Sequence, residues 1–179
     1  MWSCVKEFHF DYGHRIWSQK LDAEFSVDCK CACRFPHGHS GRARVSMASD
    51  KLQDGMVTDF KNLNWFKKFV DDEIDHKFLM DRKDPLLFDF LKLLNDETLE
   101  EYYELRPEGH MKYKGGLDLT EAQTELYEGM VVVPFLPTSE NLSKWLYDIV
   151  SEKMKKINIK ITKVEFYETQ KSFSSYEES

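Results

Sequence analysis

Val5-Lys6-Glu7-Phe8-His9-Phe10-Asp11-Tyr12-Gly13-His14 alternates with a period of two. Phe8, Phe10, Tyr12 and His14 fall on one face, and Glu7, His9, Asp11 and Gly13 on the other, which reads as a half-buried strand. Beyond it, a polar, cysteine-bearing stretch from about Ser18 to Pro36 reads as a loop. A second strand runs from His37 to about Ala48, with His37, His39, Gly41, Ala43, Val45 and Met47 sharing a face, and Lys51 to Gly55 turns the chain. From Thr58 the period changes: Phe60, Leu63, Phe66, Phe69 or Val70, and Ile74 recur every three to four residues. That is an amphipathic helix with Thr58 or Asp59 as its cap. A second helix should start after Pro137, capped by Thr138, with Leu142, Trp145, Leu146, Ile149 and Val150 as its buried stripe. The C-terminal part reads as a hairpin of Lys163 to Thr169 and Ser172 to about Glu177, turning near Gln170-Lys171. Val164, Phe166 and Glu168 share a face of its first strand.

Between about 84 and 133 the pattern weakens. Pro85 to Leu94 reads as a short helix, Asp96 to Glu104 is acidic, and His110 to Gly116 reads as a loop. The order strand, strand, helix, insert, helix, strand, strand predicts an α+β fold, an antiparallel sheet with helices on one face. Four strands leave two sheet edges to manage, which points to association with other subunits.

Composition narrows the function classes. A chain of 179 residues is one domain's worth of protein and buries a sizeable core without a disulfide scaffold. Hydrophobic residues make up 41% and charged residues 32%, which excludes collagen-like and wholly disordered chains. No apolar run approaches the roughly 20 residues that span a bilayer. The first residues lack a basic stretch followed by an apolar core, so the expectation is a soluble, cytoplasmic protein. The net charge of −7 and the lack of an arginine-rich stripe argue against a nucleic-acid partner. Cys29, Cys31 and Cys33 are spaced two apart, too close to bridge one another without strain, so the cysteines are expected to be reduced.

The sharpest local signal is His37-Gly38-His39. Residues two apart on a strand point to the same side, about 6.6 Å apart at the backbone, and two such imidazoles can converge on one metal. His14 ends the first strand on a face that an antiparallel neighbour brings to this pair. Three His ligands and an open position describe a catalytic zinc site; a strand-end histidine bonded to backbone is the plainer reading of His14. Cys33, four residues before His37, has three readings: a fourth zinc ligand, a nucleophile or base beside the metal, or an idle thiol. Cys29 and Cys31 add a run able to hold a soft metal. Asp75-His76 closes the first helix, and a carboxylate that orients an imidazole is an acid/base device. Glu168, turned inward, should have a partner or bind something.

Tyr12-Gly13-His14-Arg15, Cys33-x3-His37-Gly38-His39, Gly55-Met56-Val57-x-Asp59-Phe60, Asp75-His76-x-x-Leu79, Pro137-Thr138-Ser139-Glu140-Asn141 and Tyr167-Glu168-Thr169 occur in one order. Together they resemble the 6-pyruvoyltetrahydropterin synthase / 6-carboxytetrahydropterin synthase family over residues 5–80 and 134–177. Three residues between the cysteine and the first histidine match the 6-carboxytetrahydropterin synthase branch of the 7-deazaguanine (preQ0/queuosine) pathway. The resemblance implies the tunnelling fold: a four-stranded antiparallel sheet with two helices, here a single domain over 1–179 with an insert at about 84–133. It implies a homo-oligomer, trimer or hexamer, with active sites at subunit interfaces.

The resemblance also implies roles. His14, His37 and His39 would bind Zn2+. Cys33 would be the base or proton shuttle, and Asp75 with His76 would complete a catalytic triad. Glu168 would accept hydrogen bonds from the pterin, helped by the Thr138-Ser139 backbone. The implied substrate is 7,8-dihydroneopterin triphosphate, and the products are 6-carboxy-5,6,7,8-tetrahydropterin, acetaldehyde and triphosphate. Two alternatives share the fold: a 6-pyruvoyltetrahydropterin synthase and a non-catalytic zinc- or pterin-binding protein. Arg15, Lys20, Lys30, Arg34 and Lys77 are candidate cations for the triphosphate. The insert is expected to be a solvated decoration, and Cys29 and Cys31 to form a regulatory disulfide with Cys33 or to be idle.

Overall fold

The computed structural model describes residues 1–27 and 30–178. Along the chain, β1 (Trp2–His14) is followed by a short helix α1 (Ala23–Ser26), a 3-10 turn at Ala32–Arg34 and β2 (His37–Ser49). A second 3-10 turn (Phe60–Leu63) leads into α2 (Asn64–Glu73), then β3 (Lys77–Asp81), α3 (Leu87–Phe90) and α4 (Leu99–Tyr102). Next come β4 (Tyr103–Leu105), β5 (Met111–Tyr113), α5 (Glu121–Gly129) and β6 (Met130–Val133). The chain closes with α6 (Ser139–Lys155), β7 (Lys160–Tyr167) and β8 (Phe173–Tyr176). The residues group into two compact units.

The first unit comprises Met1–Asp11, His39–Asp75 and Thr138–Ser179, with strands in the order β1-β2-β7-β8. The expected alternation holds: Phe8 and Phe10 are buried and Glu7 and His9 exposed, while Gly41, Ala43, Val45 and Met47 form the buried face of β2. A register shift between Ser46 and Met47, against antiparallel β7, lets Ala48 bury as well. Phe66 of α2 meets Phe8 edge-on at 5.0 Å between ring centroids, and Phe69 meets Trp145 of α6 at 5.7 Å. Two amphipathic stripes thereby share one aromatic layer over the sheet. Asp59 is the cap, its carboxylate accepting the Lys61 N–H. Phe60, expected on the buried face, is 47% exposed because it lies in the 3-10 turn, before the α-helical period begins. Ile149 is likewise only half-buried, while Tyr147 is buried, its hydroxyl donating to Ile161 O of β7. The packing of α6 on β7 and β8 rotates its buried stripe toward Tyr147.

The second unit comprises Tyr12–Gly38 and His76–Pro137. Its strands run β4-β5-β6-β3, with the end of β1 parallel to β3. β3 and β6 are parallel, and β5 is antiparallel to both β4 and β6. The α+β class therefore stands, with eight strands in the described residues rather than four. His110–Gly116, expected to be a loop, contains β5. All four residues of β6 and the last three of β3 are buried, so neither strand carries the alternation that marks a one-sided strand. Met80, Leu87, Leu91, Leu99, Tyr103 and Met130 form an apolar core of their own. That corrects the reading of the insert as solvated decoration: its apolar residues, aperiodic in sequence, converge in space. Tyr103, 1% exposed, donates its hydroxyl to Tyr127 O at 2.9 Å, and burial pushes its pKa up. No helix among the described residues is long and apolar enough to cross a membrane.

Candidate metal centre

His14 ends β1 on the face that also buries Phe10 and Tyr12, and it is 1% exposed. Parallel pairing with β3 sets it opposite Leu79. The neighbouring residue must be glycine, because a Cβ at Gly13 would lie 2.6 Å from Phe78 Cδ2. His37 opens β2, and its ring lies 4.6 Å from that of His14.

Backbone carbonyls decide the tautomers. His14 Nδ1 lies 2.7 Å from Pro137 O, and His37 Nδ1 lies 2.8 Å from Phe35 O. A carbonyl oxygen only accepts, so each Nδ1 carries the proton and each Nε2 presents a lone pair. Those two Nε2 atoms are 3.1 Å apart. Two lone pairs at that separation cannot bond each other. Two nitrogens bound to one tetrahedral zinc at about 2.0–2.1 Å lie about 3.3 Å apart, so the pair fits a shared cation. His39 follows two residues along β2, and the ligand atoms of His14, His37 and His39 all lie within 4.8 Å of one another. The donor set suits zinc, and the carbonyls are the outer partners that such imidazoles need.

Cys33 sits half-buried in the 3-10 turn before β2. Its carbonyl accepts the Ile16 N–H at 2.7 Å, which ties this turn to the residues after His14. Cys31 is a thiol whose Sγ accepts the Cys33 N–H at 3.4 Å; Cys29 lies outside the described residues. Asp75 and His76 occupy a turn after α2, with His76 exposed in the left-handed region at φ 57°. Asp75 Oδ1 accepts the Asp11 N–H at 2.8 Å, and Asp11 accepts the Ser40 hydroxyl at 2.6 Å. Glu168 is half-buried just past β7, and its N–H donates to Ser172 O. Thr138 caps α6 by accepting the Asn141 N–H, and the Ser139 hydroxyl lies 2.8 Å from that of Ser174 on β8.

Among the candidate cations, Arg15 is not offered to a ligand. Its guanidinium is buried against Asp84, with Nε 2.9 Å from Oδ2. Burial pushes the Asp84 carboxyl up, against the pull of the Leu86 N–H and of Arg15. Arg34 donates to Gln19 O and Lys77 to Glu128 O, whereas Lys20 and Lys30 are exposed. Sequence reading passes over Asp81, Asp84 and Trp17. Asp81-Arg82-Lys83-Asp84 looks like a solvated charged turn, and nothing local signals that two of its carboxylates turn inward.

A family model described as 6-pyruvoyl tetrahydropterin synthase matches residues 3–179. Over 189 aligned residues the chain is 31% identical to the 6-carboxy-5,6,7,8-tetrahydropterin synthase of Aquifex aeolicus (strain VF5), covering 99% of this chain and 98% of that protein. An uncharacterised protein of Wolinella succinogenes has a solved structure with a TM-score of 0.92 at 40% identity, covering 99% and 98% of the two chains. The 6-pyruvoyl tetrahydropterin synthase of Caenorhabditis elegans superposes with a TM-score of 0.53 at 20% identity, covering 99% and 95%. At that identity the likeness speaks for the fold alone, and it is the tunnelling fold expected from the sequence.

Proposed function

Because the chain belongs to the 6-pyruvoyl tetrahydropterin synthase family, we propose that it is a zinc-dependent 6-carboxytetrahydropterin synthase. The reaction would convert 7,8-dihydroneopterin triphosphate to 6-carboxy-5,6,7,8-tetrahydropterin, acetaldehyde and triphosphate, as a step of 7-deazaguanine biosynthesis. The observation that carries this reading is the pair of carbonyl-fixed imidazoles whose Nε2 atoms face each other at 3.1 Å. The three-residue spacing from Cys33 to His37, and the named Aquifex relative along the whole chain, support the carboxy branch.

His14, His37 and His39 would hold the zinc, which would supply Lewis-acid chemistry for the hydroxyls of the substrate side chain. Cys33 takes and returns the carbon-bound proton, and the Ile16–Cys33 backbone bond holds its turn beside the residues following His14. Asp75 and His76 complete the acid/base set, with Asp75 oriented by the Asp11 N–H. Glu168 accepts the amino and ring N–H groups of the pterin, because an ionised carboxylate has two oxygens to offer a flat pair of donors. The Thr138-Ser139 backbone at the start of α6 presents N–H groups that no intrahelical carbonyl satisfies. With Arg15 held by Asp84, Lys20, Lys30, Arg34 and Lys77 are the candidate cations for the triphosphate. The reading takes residues 1–179 as one functional domain, cytoplasmic, working as a homo-oligomer with sites at subunit boundaries.

The test is incubation of the purified protein with zinc and 7,8-dihydroneopterin triphosphate, assaying acetaldehyde and the pterin by mass. Acetaldehyde with a 6-carboxy pterin is expected. A pyruvoyl pterin without acetaldehyde would move the protein to the other branch. Stoichiometric zinc with no turnover would leave a binding protein.

A further inference from the structure

The three residues after His14 are held at several points, all within the second unit. The Arg15 side chain, 9% exposed, meets the Asp84 carboxylate, 0% exposed, at 2.9 Å. Asp84 is itself aimed by its own turn, its Oδ1 accepting the Leu86 N–H at 2.9 Å. Ile16 is buried, and its N–H donates to Cys33 O. Trp17 Nε1 donates to Asp81 Oδ2 at 3.0 Å, while Asp81 Oδ1 accepts the Lys83 N–H. At the far end of the same 76–137 segment, Pro137 O faces His14 Nδ1.

A buried Arg–Asp pair is a poor stabiliser, since desolvating two charges offsets most of their attraction. What it does supply is direction: a rigid guanidinium on a carboxylate fixed by its own turn leaves Arg15 little freedom. Arg15 adjoins His14, so that constraint reaches the imidazole that must meet His37. Ile16 extends the constraint to the turn bearing Cys33.

We infer that Asp84, with Asp81, is a positioning residue for the metal centre: the Asp84–Arg15 ion pair and the Asp81–Trp17 hydrogen bond hold the chain after His14 so that its Nε2 meets that of His37. This rests on the reading of the three histidines as metal ligands. It also gives the 76–137 segment a task at the site, beyond its own core.

The full-length protein tests it through zinc affinity, by chelator competition, and through the visible spectrum of the cobalt-loaded protein. The double variant R15M/D84L removes both charges at once, so no buried charge is left unpaired and the apo melting temperature should stay near the parent's. Its zinc Kd should rise, by no more than the about 10-fold that loss of a direct outer partner of a ligand costs, and its cobalt absorption should shift. D84E, which keeps the carboxylate, should recover part of the affinity. Trp17→Phe, which gives up one hydrogen bond, should move both readouts in the same direction, and it carries the test if the double variant does not fold. Folded variants with parental zinc affinity and cobalt spectrum would overturn the proposal and leave the ion pair a packing feature. A parent that binds no zinc would instead overturn the metal reading beneath it.

Discussion

Two imidazoles with both Nδ1 protons given to carbonyls have only their Nε2 lone pairs left, and these face each other. That leaves this pair suited to metal ligation. Cys33 lies in the turn before β2 rather than on the strand that carries His37 and His39, so it should act on substrate and not on zinc. Cys33→Ala should keep stoichiometric zinc by metal analysis while turnover falls by about 10²–10⁴-fold, the weight of a positioned proton-transfer group. Loss of zinc in that variant would make Cys33 a ligand. The His37–His39 pair was legible in the sequence because spacing on a strand is local. The burial of Arg15 was not legible, because its partner Asp84 is remote in the chain.

At the scale of elements, the start of α6 joins stability to pH. Glu140 is held below the usual carboxylate range, first by its own backbone N–H at the helix N-terminus, then by the side chains of Thr138, Ser174 and Ser139, against a smaller opposing effect of burial. A depressed carboxylate stabilises the fold at pH above its unfolded pKa of about 4.3, and that contribution is lost as pH falls through the lower folded value. Glu140→Gln should therefore flatten the acid limb of stability below about pH 4, read as urea midpoints across that range. An unchanged acid limb would mean that the carboxylate is solvated in the folded protein. The elements most legible in the sequence were those with one wet and one dry face: β1, β2, α2 and α6. β3 and β6 are buried on both faces, so their apolar runs carry no period.

At the scale of the whole molecule, the 76–137 segment carries an apolar core of its own. Deleting residues 86–130 would strip Leu87, Leu91, Leu99 and Tyr103 from Met80, leaving buried apolar surface open to water. An insoluble or aggregated product is expected, read by size-exclusion chromatography; a soluble, zinc-binding product would restore the view of the segment as decoration. Gentler still, Leu99→Ala at a fully buried site should cost about 2–5 kcal/mol by denaturant unfolding. Taken by itself, the sequence determined the α+β order, the caps at Asp59 and Thr138, and the three histidines. Periodicity, capping and residue spacing act over a few residues, so they can be read along the chain. Only the tertiary structure decided that the stretch between the two main helices forms strands parallel to β1, and that Asp81 and Asp84 turn inward to hold the residues after His14. Parallel pairing and buried ion pairs are made between residues remote in sequence, and nothing in the local pattern of either partner announces the other.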